Sequence, residues 1–141
     1  MERIDRELEE KVWQRIQGQP QAGQGNLRPL LLLAMEAEAG CRQLPPGPGR
    51  ERLVKNAAAN AACLRGIGIL GGEGGRRQPQ TVPREPPRKL LEKCYHRARR
   101  LMTEYAAREL DGEFGVVYRQ MADRERENCA LLMELLGGLG R

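Results

Sequence analysis

A carboxylate and an amide placed inside an apolar helical pattern are the residues of this chain best suited to chemistry. Glu125 and Asn128 share one face of a predicted helix with Val117, Met121 and Leu132. Polar groups on a buried face cost free energy unless hydrogen bonds or a ligand satisfy them. In helical bundles, a Glu and a His at this spacing bring two ligands to a buried metal pair. Here the second residue is Asn, so the pattern predicts a metal-site frame with an altered ligand set.

A second asparagine extends this polar layer to another helix. The apolar face of the segment around residue 60 reads Leu53, Ala57, Asn60, Leu64 and Ile67. At a rise of about 1.5 Å per residue, this asparagine and the Glu–Asn pair lie at similar depths in a bundle. We therefore expect these polar side chains to meet near its middle.

The preceding segment offers two further carboxylates, Glu36 and Glu38. Residues 30–33 are four consecutive leucines, so the apolar periodicity does not decide which glutamate faces the core. If a metal ion were held, Glu36 or Glu38 would join Glu125, with Asn60 and Asn128 as weak neutral ligands. Without a metal ion, we expect a polar plug in which a protonated carboxyl is hydrogen-bonded to an asparagine.

The four cysteines give an alternative. Cys41, Cys63, Cys94 and Cys129 fall one to each long helical segment. Thiolates select soft ions, so Cys63, Cys94 and Cys129 are candidate ligands for zinc. The chain lacks the closely paired cysteines of strong zinc sites, and free cysteine is a common buried apolar residue. Structural cysteines are therefore favoured.

The elements that position these residues are predicted to be helices only, because no segment alternates at the period of a strand. Residues 1–17 read as an amphipathic helical arm and 18–25 as a flexible linker rich in Gly and Gln. Residues 26–141 then form one bundle, with helices over 26–44, 50–70, 88–110 and 113–136. Joints 45–49 and 111–112 are short. The long link 71–87 favours one crossover between two helical hairpins over up-and-down wiring.

The charge pattern bears on partners and location. The formal net charge is +5, and the densest basic zone covers residues 76–100. The basic residues of this zone are not interleaved with aromatic residues, and no helix-turn-helix or zinc-finger spacing accompanies them, so a solvated surface is favoured over a nucleic-acid site. No apolar run suits a signal peptide or a bilayer span. With unpaired cysteines, this predicts a cytoplasmic protein that does not enter a membrane.

Several phrases, in this order, give the chain a family resemblance over residues 27–138. They are LRPLLLLAMEAE at 27–38, LRGIGILGG at 64–72, EYAARELDGEFG at 104–115 and ERENCALLMELLG at 125–137. Together they resemble the rubrerythrin-type ferritin-like family, in particular small ferritin-like proteins of Clostridia-type bacteria. The resemblance implies a four-helix bundle in which four glutamates and two histidines bind two iron or manganese ions.

Most of the family's metal-ligand positions are occupied by other residue types in this chain. Ala57 and Asn60 stand where Glu-x-x-His is expected, and Ala98 stands at a glutamate position. Glu125 is kept, while Asn128 replaces its histidine. The only histidine, His96, lies off the apolar face. The resemblance therefore implies at most two of six ligands.

The resulting expectation is a degenerate ferritin-like protein without a metal cofactor or catalytic activity, which acts as a binding or assembly module. The arm, with Leu8, Val12, Trp13 and Ile16 on one face, is the expected docking element for a homodimer or a protein partner. Two alternatives stay open. One is a metal-binding oxidoreductase, an iron-storage or a peroxide-handling protein. The other is a nucleic-acid-binding protein that uses the basic zone.

Overall fold

The computed structural model describes residues 27–72, 81–110 and 112–139. These residues contain four α-helices and no strand: α1 (Arg28–Arg42), α2 (Pro48–Leu70), α3 (Pro87–Ala107) and α4 (Gly115–Leu139). The all-α prediction is confirmed, and each helix boundary lies within three residues of the predicted one. The predicted arm 1–17 and linker 18–25 lie outside the described residues.

The ends of the helices follow from proline and glycine. Prolines occupy the first or second position of α1, α2 and α3. There the missing N–H has no intrahelical partner to lose, and the fixed φ suits the helix. After α2, Gly72 has φ +86°, a left-handed conformation that glycine adopts without a steric cost at a helix end. These residues divide the chain into its four long elements.

The helices pack as two antiparallel hairpins, α1–α2 and α3–α4. Between the hairpins, α1 packs on α3 and α2 packs on α4, whereas the backbones of α1 and α4, and those of α2 and α3, do not approach each other closely within the described ranges. Gln43, just after α1, donates from Nε2 to the carbonyl oxygen of Val82, just before α3, at 2.8 Å. The end of α1 and the start of α3 therefore share one end of the bundle. The link after α2 accordingly joins opposite ends, as a crossover requires.

The core consists of two apolar clusters separated by a polar layer. The first cluster lies at the end where α1 begins, which we call the entry end; the second lies toward the far end. Members of the first include Leu30, Leu64, Ile67, Tyr105, Tyr118 and Met121, and members of the second include Cys41, Leu53, Leu91, Cys94, Ala98 and Leu132. Between them lie the buried residues Asn56, Asn60, Glu125 and Asn128. The predicted meeting of polar residues near mid-bundle is observed.

The buried face of α1 consists of apolar and small residues and has neither Glu36 nor Glu38 at its centre. Its centre is formed by Leu30, Ala34, Ala37 and Cys41, and both Glu36 and Glu38 lie half-buried on its flanks. The sequence left open which of the two glutamates faces the core, and in the structure neither occupies the centre of the buried face. The consecutive leucines give no helical phase, and the small residues Ala34, Ala37 and Gly40 allow the neighbouring helices to approach.

The other faces agree closely with their periodicity. Leu53, Ala57, Asn60, Leu64 and Ile67 are all buried on α2. The face of α4 is buried from Tyr118 to Leu132 and becomes exposed beyond it. None of the described helices has the length and apolar character needed to cross a bilayer.

Candidate functional site

The Glu125 carboxylate is the centre of the polar layer. Asn60 donates from Nδ2 to Glu125 Oε2 at 2.7 Å and to the carbonyl oxygen of Met121 at 3.0 Å. Asn128 donates from Nδ2 to Glu125 Oε1 at 3.4 Å. Each of these three polar side chains is at most 2% exposed. Three residues singled out in the sequence thus form one hydrogen-bonded unit, in which both carboxylate oxygens accept from amides.

On one side, this unit continues to the surface through Asn56. The Asn56 amide nitrogen donates to Asn128 Oδ1 and to Glu127 Oε1, each at 2.9 Å. Glu127 in turn pairs with the exposed Arg52. Sequence reasoning missed Asn56, although it precedes Asn60 by four residues and therefore shares its helical face.

On the other side, the unit reaches Arg124. Arg124 Nη1 donates to Asn60 Oδ1 at 3.2 Å and to Cys63 Sγ at 3.9 Å. We call the resulting chain of hydrogen bonds the asparagine network. It consists of Arg52, Asn56, Asn60, Arg124, Glu125, Glu127 and Asn128. All its members belong to α2 or α4, so the network lies along the α2–α4 interface.

The pKa values of the two carboxylates in the network are shifted in opposite directions. Burial raises the pKa of Glu125 to about 7, although the hydrogen bonds from Asn60 and Asn128 act to lower it. The hydrogen bond from Arg52, assisted by the one from Asn56, lowers the pKa of the exposed Glu127 to about 2. The inner carboxylate therefore titrates near neutral pH, whereas the outer one stays charged.

This donor set does not fit a pair of divalent ions. Amide nitrogens, which cannot ligate a cation, point at both oxygens of Glu125. Ala57 and Ala98, at positions where the family resemblance expects glutamates, are buried and carry no ligand atom. In the described ranges, no group of three His, Cys, Asp or Glu side chains is arranged around a possible metal position.

The remaining metal candidates lie apart from the network. Glu38 pairs with Arg42 one turn along α1, at 2.8 Å. Glu36 lies on the flank of the same helix. His96 is exposed, and its ring stands edge-on to Tyr95 at 6.0 Å between ring centroids. None of these side chains extends the ligand set of Glu125.

The cysteines are not grouped as the zinc alternative requires. Cys63 packs against the first apolar cluster, whereas Cys94 and Cys129 belong to the second. Cys94 instead faces Cys41 across the α1–α3 interface: both belong to the second apolar cluster, and Cys94 Sγ lies 3.3 Å from the position of a Cβ on Gly40. This pairing depends on the register between two helices, which residue spacing within one helix does not reveal.

The described part of the basic zone is interleaved with acidic side chains. Arg88 pairs with Glu92 along α3, and both Lys89 and Lys93 pair with Glu85. Pairs of this kind belong to a solvated helix surface. Arg76 and Arg77 lie outside the described residues.

Comparisons of the chain with protein-family models, with curated proteins and with solved structures gave no match.

Proposed function

We propose that this chain is a ferritin-like bundle in which a hydrogen-bonded amide–carboxylate layer takes the place of the dimetal centre. In this proposal the protein acts as a non-catalytic binding or assembly module. One observation carries it: both oxygens of Glu125 accept hydrogen bonds from Asn60 and Asn128. These two asparagines occupy the positions at which the family resemblance expects histidine ligands.

Two features of the bundle support this proposal. The first is the packing order, since a crossover between two antiparallel hairpins is the wiring of ferritin-like bundles. The second is the coordinated change of residue types. Ala57 and Ala98 are small and buried, and with Asn60 and Asn128 they remove four ligands from three helices. A layer that satisfies its one remaining carboxylate internally leaves no oxygen of Glu125 without a partner.

Metal analysis tests this part of the proposal. Protein purified under reducing conditions without chelators should contain iron, manganese and zinc far below one ion per chain. A variant with Ala57→Glu, Asn60→His, Ala98→Glu and Asn128→His restores the expected ligand types and should gain bound metal. Adding Glu125→Ala to that variant is the matched control and should reduce the gain.

The opposite result would support the metal-binding alternative. It would consist of near-stoichiometric metal in the wild-type protein that is lost in Glu125→Ala. Peroxide-dependent oxidation of added Fe(II) that is abolished by the same substitution would then identify an oxidoreductase.

The assembly role is assigned to the entry end of the bundle. Ile69, Leu70, Leu110 and Val116 are large apolar residues near this end, with exposed fractions from 64% to 94%. Contiguous exposed apolar patches mark interaction surfaces in soluble proteins, and in this proposal the four residues form such a patch. We call these four residues the entry-end surface.

We assign the N-terminal arm of the same chain as the segment that covers the entry-end surface. The described chain begins with Leu27 in the first apolar cluster, so the arm is covalently attached at this end of the bundle. Their sequence contains an amphipathic stripe that includes Val12, Trp13 and Ile16. In this proposal the arm buries its apolar stripe on the exposed apolar surface nearest to its attachment, which removes apolar area of both from water.

Trp13 provides the test, because it is the only tryptophan of the chain. Its emission in the full-length protein should be that of a buried indole and should shift to the red in Val116→Asp. Met133→Asp is the matched control: Met133 is 54% exposed on the same helix but toward the far end. Emission of a solvated indole in the wild-type protein would overturn the assignment. Concentration dependence would distinguish docking on the same chain from docking on a second copy.

A further inference from the structure

A pair of thiols that the asparagine network does not use lies between α1 and α3. Cys41 and Cys94 are 4% and 2% exposed and belong to the second apolar cluster. Cys94 Sγ lies 3.3 Å from the position that a Cβ would take on Gly40, the residue next to Cys41. The two cysteines therefore face each other on helices that pack together, and a disulfide between them would link α1 to α3.

An arginine side chain reaches this pair. Arg97, one turn after Cys94, lies against Gly40 so closely that a Cβ there would be 2.8 Å from Arg97 Nη1 and 3.3 Å from Cys94 Sγ. Gly40 therefore makes room for both groups. Arg97 Nη1 is buried and has no hydrogen-bond partner among the described residues. Since an unpaired buried donor on a charged group is costly, a thiolate at Cys94 would supply the missing negative partner.

The surroundings distinguish the two sulfur atoms. The neighbouring Cys41 thiol, and then the Arg97 guanidinium, lower the pKa of Cys94 despite its burial. The neighbouring Cys94 thiol, followed by burial, raises the pKa of Cys41, and Glu125 on α4 adds to the rise. Because the thiolate is the nucleophile, Cys94 is suited to attack and Cys41 to the later step.

Access to the pair passes along a side chain rather than through the backbone. Arg97 as a whole is half-buried while its Nη1 is fully buried, so this side chain extends from near the surface to the thiols. For a molecule as small as hydrogen peroxide to reach Cys94, we expect the Arg97 side chain to move aside.

We propose that Cys41 and Cys94 form a hydroperoxide-reactive site, in which Cys94 is oxidised first and Cys41 closes a disulfide between α1 and α3. The Cys94 thiolate attacks one peroxide oxygen, so that an S–O bond forms, the O–O bond breaks and hydroxide leaves. The Cys41 sulfur then attacks the sulfenic acid, so that an S–S bond forms and the S–O bond breaks. The hydroxide that leaves in this second step takes up the Cys41 proton and becomes water. Once the first hydroxide is also protonated, two thiols and one hydrogen peroxide have given one disulfide and two water molecules. The thiols lose two electrons, which the peroxide accepts.

Peroxide titration of the full-length, reduced protein tests the order of these steps. One equivalent of hydrogen peroxide should remove two thiols and give a Cys41–Cys94 cross-linked peptide in mass spectrometry. Cys41→Ser should accumulate a sulfenic acid on Cys94 that dimedone traps, whereas Cys94→Ser should give none on Cys41. Cys63→Ser and Cys129→Ser are the matched controls and should form the cross-link as the wild type does.

Two variants test the role of the arginine. Arg97→Gln removes the charge, and Gly40→Ala places a methyl group 2.8 Å from the present position of Arg97 Nη1, so that this group must move. Each should slow cross-link formation several-fold, because each weakens the interaction of the guanidinium with the Cys94 thiolate. Arg100→Gln, exposed on the same helix, should leave the rate unchanged. Initial oxidation of Cys63 or Cys129, or a cross-link that forms only in denaturant, would overturn the proposal.

Discussion

The free energy of unfolding should depend on pH because the buried Glu125 carboxylate titrates near neutral pH. In the folded chain, burial raises the pKa of Glu125 to about 7, against 4.5 for an ordinary glutamate. Between these values the folded protein holds a proton that the unfolded chain has released. Stability must therefore fall as the pH rises through this window, and must level off above it.

The magnitude follows from the difference between the two pKa values. One pKa unit corresponds to about 1.4 kcal/mol, so a difference of about 2.5 units corresponds to about 3 kcal/mol. This loss of unfolding free energy should occur between pH 4.5 and pH 8, with its steepest part between about pH 5 and pH 7. Glu125→Gln removes the titrating group with little change of shape and should eliminate this component.

Urea unfolding at a series of pH values and constant ionic strength measures this effect. The quantity of interest is the unfolding free energy of the wild type minus that of Glu125→Gln, because other titrating groups cancel in the difference. Glu127→Gln is the matched control, two residues away on the same helix. Its carboxylate has a lowered pKa of about 2, so its stabilisation is lost below pH 4.5 and is constant between pH 5 and pH 8.

A flat difference between pH 5 and pH 8 would refute the reasoning. It would mean that the amide donors Asn60 and Asn128 outweigh the burial of Glu125, so that the carboxylate remains ionised throughout. A difference that grows with pH would be a stronger contradiction, since it would place the pKa of Glu125 below its ordinary value.

Three further predictions concern the same interfaces. Asn60→Leu removes a donor to Glu125 and should lower the unfolding free energy by about 1–3 kcal/mol at pH 8 but by less at pH 5; equal losses at both pH values in urea unfolding would contradict this. Closing the Cys41–Cys94 disulfide restricts a loop of about 50 residues and should raise the unfolding free energy by about 4 kcal/mol, with a higher melting temperature in calorimetry that dithiothreitol reverses; Cys63→Ser should retain this increase. Deletion of residues 1–20 should lower the oligomeric mass or the melting temperature, and an unchanged value of both would refute the docking role of the arm.

The sequence predicted the helices and most of the polar layer because both depend on periodicity within one segment. Asn60 stands between Ala57 and Leu64 on a face whose phase is unambiguous, and these three residues are buried as expected. The face of α1 could not be predicted in the same way, because four consecutive leucines satisfy any helical phase. There the small residues that fit against neighbouring helices determined which side is buried.

Contacts between helices were harder to anticipate than faces of helices. The meeting of Cys41 with Cys94 depends on the axial register of α1 against α3, and on the missing side chain of Gly40. Neither is expressed in the spacing of cysteines along the chain. Asn56 was missed for a different reason: its partner Glu127 lies at the rim of the α2–α4 interface, beside the apolar stripe of α4.

The two sites lie at corresponding places in the bundle. The asparagine network joins α2 to α4, the thiol pair joins α1 to α3, and these are the two interfaces through which one hairpin contacts the other. Apolar contact alone specifies the register of two helices weakly. A buried polar group can specify it at a cost in stability, because most slipped registers leave that group unsatisfied. Protonation of Glu125 and oxidation of Cys41 with Cys94 therefore both act on the association of the hairpins. If so, hydrogen exchange after either change should alter protection first along the facing sides of the hairpins, and only later within each hairpin.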